Sequence, residues 1–178
     1  AALRGLSKEE YIDPQHPVQQ LILQTFAEMT DMPVGQIGIG IDGCSAPVFA
    51  LPLRNMALAF ARLADPAGLA PARAAACRQI TQAMMAHPDM VAGPGRFDTL
   101  AMRALSGRMF AKGGAEGYQG MGLMPGALGP GSPALGIAFK IADGDQSDRA
   151  RNVVSIEILR QFGLLSPEQI AAELADLA

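Results

Sequence analysis

The sequence predicts an α+β fold, an antiparallel sheet flanked by helices. Two observations carry that expectation. Stretches with helical apolar spacing fill much of the chain before residue 106 and again after residue 148. Three short alternating runs crowd together between residues 107 and 142, so most strands cluster rather than alternate with helices. At 178 residues the chain fits one domain, taken here as a single unit over residues 1–178. That length suffices for a core, and with 5% aromatics and no Trp the core must come from Ala, Leu, Ile, Val and Met.

Residues 11–17 hold two prolines and read as a loop, with Pro17 placed in the first turn of a helix. Val18, Leu21, Ile22, Thr25, Phe26 and Met29 recur at helical spacing, and the helix should stop near residues 31–33. Residues 37–41 alternate isoleucine with glycine and read as a short strand. Gly38 and Gly40 imply close packing on one face. Residues 47–63 read as one long apolar helix that Pro52 either bends or truly starts. Residues 70–85 form an Ala-rich helix, broken at His87-Pro88-Asp89. A second break at Gly93-Pro94-Gly95 precedes a short helix over residues 96–105.

From residue 107 glycine and proline dominate. Residues 109–114 and 135–141 read as strands, residues 118–124 as a further one, and residues 125–133 as a loop. Helices over 149–162 and 167–177 close the chain. Ser166, with Gln169 three positions on, is a capping-box start for the second.

Composition excludes several classes. Fourteen basic against seventeen acidic residues give a net charge of −3, which argues against nucleic acid and against an anionic membrane surface as partners. Two cysteines make no disulfide scaffold, and no apolar run approaches the roughly 20 residues of a membrane span. A cytoplasmic location is expected from the lack of disulfides and of a signal pattern. The chain opens at Ala1-Ala2 without an initiator Met, which reads as a processed or partial sequence.

Candidate chemistry is sparse. Asp42-Gly43-Cys44 ends the first strand, a place where sites gather. Asp42 would orient an ammonium and Cys44 would serve as metal ligand or nucleophile; the plainer reading is a turn aspartate beside an inert thiol. Lys112-Gly113-Gly114 follows a strand. A lysine there can act as a base or stabilise developing negative charge, and two glycines let a ligand approach the backbone; the plainer reading is an exposed lysine before a turn. Lys140 reads as a residue of a solvated strand face. His16 and His87 each precede proline and suit capping or loop roles. Cys77 and the methionines at 84, 85, 102, 109, 121 and 124 read as core. No Ser or Thr is followed three residues later by Lys, and no Gly-x-Ser-x-Gly occurs, so the chain alone shows no complete catalytic apparatus.

Four stretches then acquire meaning together: residues 11–19, Tyr11-Ile12-Asp13-Pro14-Gln15-His16-Pro17-Val18-Gln19; residues 42–53, opening Asp42-Gly43-Cys44-Ser45-Ala46-Pro47; residues 91–99, Val91-Ala92-Gly93-Pro94-Gly95-Arg96-Phe97-Asp98-Thr99; and residues 111–117, Ala111-Lys112-Gly113-Gly114-Ala115-Glu116-Gly117. With the strand over 136–144 they resemble, in order and spacing, the bacterial L-asparaginase II family of the rhizobial type. The resemblance covers nearly the whole chain. It departs at Pro94, where the family pattern has Thr.

That resemblance implies a fold similar to part of the penicillin-binding and serine β-lactamase superfamily. The chain would be the C-terminal half of a longer protein whose Ser-x-x-Lys nucleophile motif and Cys-Ser-Gly-Lys-His segment lie upstream. It implies hydrolysis of L-asparagine to aspartate and ammonia. Lys112 would be catalytic, Asp42 would hold the substrate's amino group, and Gly113 and Gly114 would line the substrate. Cys44 would be one ligand of a structural zinc whose other ligands lie outside this chain. Asp42, Cys44 and Lys112 would then converge on one cleft. The expected partners are L-asparagine and the missing N-terminal half, with a homodimer as a further candidate. Alternatives are a non-catalytic interaction or regulatory module on the same scaffold, or a related glutaminase or other serine amidohydrolase.

Overall fold

The computed structural model describes residues 1–177. Helix α1 (Pro17–Thr30) begins with Pro17 at N1, and the His16 Nδ1 accepts from the Val18 N–H at 3.1 Å, the capping role expected of that histidine. Strands β1 (Gly38–Ile41) and β2 (Pro47–Ala50) pair antiparallel as a separate hairpin. Helices α2 (Leu53–Ala64), α3 (Pro71–Ala86), α4 (Pro88–Ala92) and α5 (Phe97–Ala104) follow. Strands β3 (Met109–Gly113), β4 (Tyr118–Leu123) and β5 (Leu135–Lys140) form an antiparallel sheet in sequence order. Helices α6 (Arg149–Gln161) and α7 (Pro167–Glu173) close the chain. The Ser166–Gln169 capping box forms in both directions, at 3.2 and 3.1 Å.

One expectation needs correction and two are refined. Residues 47–63 are not one helix. Val48 and Phe49, good strand residues, pair with Gly40 and Ile39, and Pro52 is the extended N-cap from which α2 starts. His87-Pro88-Asp89 does break a helix, but Pro88 also opens α4, because proline fits a first helical turn. The close packing expected on the glycine face of β1 amounts to little. All four β1 residues are exposed, and a Cβ at Gly38 would meet only Ala50.

Alternation along the three-stranded sheet divides the molecule into two cores. Met109, Ala111, Met121 and Leu123 face α5, α6 and α7, where Phe97, Leu105, Ile156, Leu159 and Leu174 are almost wholly buried. The opposite face carries Gly120, Gly122, Gly136 and Ala138, and α2 lies on it. Those glycines decide the geometry. A Cβ at Gly136 would fall 1.7 Å from the Ala57 carbonyl oxygen, so the α2 backbone rests directly on β5. The Phe60 ring occupies the Cβ space of Gly120, and the Phe110 ring that of its cross-strand partner Gly122. The two rings stack at 5.8 Å and 14°. Two of the few aromatic residues thus cover two of these glycines. Helices α1 and α3 pack outside α2. Cys77 is 3% exposed there, and burial pushes its thiol pKa up.

Of the methionines expected in the core, Met102, Met109 and Met121 are fully buried, while Met84, Met85 and Met124 pack against the Phe60–Phe110 cluster. No helix among the described residues is long and apolar enough to cross a membrane.

Candidate functional site

Strand β3 delivers Lys112 and Gly113 to the rim of a cleft of about 580 Å³. Its walls are the end of α4, the start of α5, the turn after β3 and the start of α6. The chain reverses into β4 through Glu116 and Gly117, both at positive φ. A Cβ at Gly117 would also strike Ile141 at 2.8 Å, so glycine is required there twice over. Arg96, Lys112 and Arg151 supply positive charge to the cleft, and Asp98, Glu116, Asp145 and Asp148 supply negative charge. Mixed charge of this kind suits a small zwitterion better than an apolar ligand.

The backbone at Lys112–Gly114 is held from both sides. Asp98, 4% exposed on the first turn of α5, accepts from the Gly113 N–H at 2.6 Å and from the Gln119 Nε2 at 2.9 Å. Arg151, 5% exposed on the first turn of α6, donates from Nη1 to the Gly114 carbonyl at 3.2 Å. Its Nη2 pairs with Asp148 at 2.9 Å, and the same Asp148 oxygen takes Arg96 at 2.7 Å. The Lys112 Nζ folds back to donate to the Gly113 carbonyl, and it makes no ion pair with Glu116. The glycines face inward demands as well. A Cβ on Gly113 would meet the Arg151 Nη1 at 2.4 Å, and one on Gly114 the Tyr118 ring at 2.9 Å. Protein side chains therefore already use the room these two residues leave.

Asp42 and Cys44 lie elsewhere, at the turn of the β1–β2 hairpin, and neither lines the Lys112 cleft. Asp42 Oδ1 accepts from the Cys44 and Ala46 N–H groups at 2.8 and 3.0 Å, the expected turn aspartate. Both bonds use the same oxygen, which leaves Oδ2 open to solvent. Cys44 is exposed. Residues 1–177 contain no group of three His, Cys, Asp or Glu placed to hold a metal, so a zinc at Cys44 would need ligands from outside them. The structure thus gathers Lys112, Gly113 and Gly114 in one cleft and keeps Asp42 with Cys44 on a separate element. Lys140 is exposed, as expected, and donates to the Glu116 carbonyl at 2.8 Å.

Tyr118 lies between the two places. It packs under Gly114 and also lines the groove of about 570 Å³ beneath β2. Its hydroxyl is buried and has no hydrogen-bond partner among the described residues, and burial pushes its pKa up from 10.0 to about 12. The unfolded phenol ionises near 10 and the folded one near 12. The folded state therefore keeps a proton the unfolded state has lost, and stability falls as pH rises through that window. Tyr118→Phe is expected to melt no lower than the parent at pH 8, since it removes an unpartnered hydroxyl. It should also lose the tyrosinate absorbance phase near pH 12. Melting curves and a 295 nm titration check both; a lower melting temperature at pH 8 refutes it.

Sequence reasoning singled out Lys112 but missed Asp98, Gln119 and Arg151. A signal existed. Asp98 shares a helical stripe with Ala101, Met102 and Leu105, all buried, and Arg151 shares one with Ser155, Ile156 and Leu159. A charge on an apolar stripe is a group with an internal partner to find.

Among protein families, the one described as L-asparaginase II matches the chain over residues 1–178. No curated protein matches it.

Proposed function

Since the chain belongs to the L-asparaginase II family, we propose that it forms the lysine-bearing part of an amidohydrolase that converts L-asparagine to aspartate and ammonia. The family places the chain among asparaginase-type amidohydrolases, with asparagine as the substrate class. The observation that carries the finer reading is the Lys112-Gly113-Gly114 segment, hydrogen-bonded by Asp98 and Arg151 at the edge of a cleft lined by both signs of charge.

Amide hydrolysis needs a nucleophile, a base for its proton and donors for the oxyanion. This chain has no Ser-x-x-Lys, so in our reading the serine comes from protein sequence beyond these 178 residues. Lys112 then swings from the Gly113 carbonyl to the reacting centre. There its ammonium stabilises the charge that builds on the substrate oxygen, or its neutral amine takes the proton that the serine hydroxyl gives up and becomes the ammonium. Gly113 and Gly114 line the substrate's cleft by their shape, since Asp98, Lys112, Tyr118 and Arg151 already engage their N–H and carbonyl groups. Asp42 takes the substrate's ammonium through its open Oδ2, which requires the hairpin and the cleft to be completed by the same second wall. Catalysis between two half-sites is a common arrangement.

In the same reading Cys44 is one thiolate ligand of a structural zinc. The metal would tie the hairpin to the second wall and take no part in the hydrolysis. Cys44→Ser in the full-length protein should lose bound zinc in elemental analysis. Equal zinc in variant and parent would remove Cys44 from the ligand set.

The test of function is ammonia release by the full-length protein from asparagine, beside glutamine and other amides. Turnover of asparagine supports the reading. Preferential turnover of glutamine moves it to the related glutaminase. No turnover of any amide leaves the non-catalytic module as the reading.

A further inference from the structure

We propose that Asp98 and Arg151 are positioning residues for Lys112, clamping the Gly113 N–H and the Gly114 carbonyl so that the lysine is carried on an immobile backbone. The inference rests on the reading that Lys112 acts in amide hydrolysis.

Three observations support it. The first is placement. The two bonds grip consecutive residues immediately after Lys112, from two different helices, at 2.6 and 3.2 Å. The second is shape. Gly113 has no Cβ, and the space is taken by the Arg151 guanidinium, 2.4 Å from where that Cβ would be. The third is burial. Asp98 is 4% and Arg151 5% exposed, and Gln119, which donates to Asp98, is wholly buried. Buried charges contribute little net stability compared with apolar groups of the same volume, so stability alone is a poor account of them.

The clamp is itself braced. The Arg151 N–H donates to Asp145 Oδ2 at 2.7 Å, its carbonyl accepts from the Ser155 hydroxyl at 2.7 Å, and its Nη2 is paired with Asp148. Asp98 sits where α5 begins, with its other oxygen held by Gln119. Strand β3, strand β4 and the starts of α5 and α6 therefore meet in one hydrogen-bonded frame around the lysine's backbone. A frame of this kind fixes a reacting group in the geometry of the transition state before substrate arrives.

Asp98→Asn and Arg151→Lys test it in the full-length protein. In Asp98→Asn the new amide would have to turn its own donor toward either the Gly113 N–H or the Gln119 donor, and in Arg151→Lys the ammonium cannot form the guanidinium's fork. Each is expected to lower kcat for asparagine by about 100-fold, the loss a misplacement of about 1 Å can cause. KM should change by no more than about threefold, because the lysine's interactions strengthen in the transition state. The Gly113 amide resonance should move upfield in Asp98→Asn, since its carboxylate acceptor is gone.

A kcat per folded molecule equal to the parent's in both variants overturns the proposal, even if melting temperatures fall, because that result marks a purely structural role. If Asp98→Asn does not fold, Arg151→Lys decides alone. If the parent turns over no asparagine, the functional reading fails first. The clamp is then judged by the Gly113 resonance, and an unmoved resonance ends it.

Discussion

Gly136→Ala should destabilise the protein more than any other single-methyl addition in the sheet. The added Cβ would lie 1.7 Å from the Ala57 carbonyl oxygen, 2.6 Å from the Ala61 nitrogen and 2.8 Å from the Ala57 carbonyl carbon. All three atoms belong to the α2 backbone, so no side chain can rotate out of the way. Relief requires the helix to move off β5. That would also lift Phe60 from Gly120 and disturb its stack with Phe110. Overpacking costs about 1–3 kcal/mol and occasionally more, and a backbone collision belongs at or above the top of that range. At about 2–4 °C per kcal/mol for a domain of this size, Tm should fall by about 6–12 °C. Gly68→Ala is the control, since nothing lies within 4 Å of its Cβ position. Matching melting curves for the two variants would show that α2 does not rest on β5 as described.

Lys112→Met should abolish nearly all turnover while leaving the fold intact. Methionine keeps most of the length and removes the charge. Lys112 is exposed, and its single hydrogen bond goes to the neighbouring Gly113 carbonyl, so melting should shift by less than about 0.5 kcal/mol. A positioned proton donor or acceptor contributes about 10²–10⁴-fold, and kcat for asparagine should fall within that range. Lys112→Arg should rescue little, because the larger planar guanidinium neither gives up its proton nor fits the same point. Near-parental kcat in Lys112→Met would remove the lysine from the reaction, and the Arg96–Arg151 cleft would lose its claim to be the active site.

Much of the fold was legible. Helical spacing marked α1, alanine content marked α3, strand-like runs marked β3 and β5, and Ser166 with Gln169 marked the start of α7. What escaped was decided by partners. Pro47–Ala50 is apolar enough for a helix, and it becomes a strand because β1 lies opposite. Pro88 read as a stop and proved also to be a start, since a proline before a run of helix formers suits both. The site was half legible. Lys112-Gly113-Gly114 announces itself locally, with a cation, two missing side chains and a strand end. Asp98 and Arg151 are separated by 53 positions and matter only because α5 and α6 begin beside the same turn. Periodicity within either helix hints at a buried charge but names no partner for it.

Among the described residues the β1–β2 hairpin bonds to no other strand, and it shows Ile39, Ile41 and Val48 to solvent. Two strands on their own are marginal in water, so this ribbon owes little of its order to the main sheet. Its tie to the rest of the protein runs through Phe49, whose ring lies 4.7 Å from that of Phe26 on α1. A ligand that binds the Asp42–Cys44 tip in this paired form would therefore also strengthen the ribbon's seat on α1.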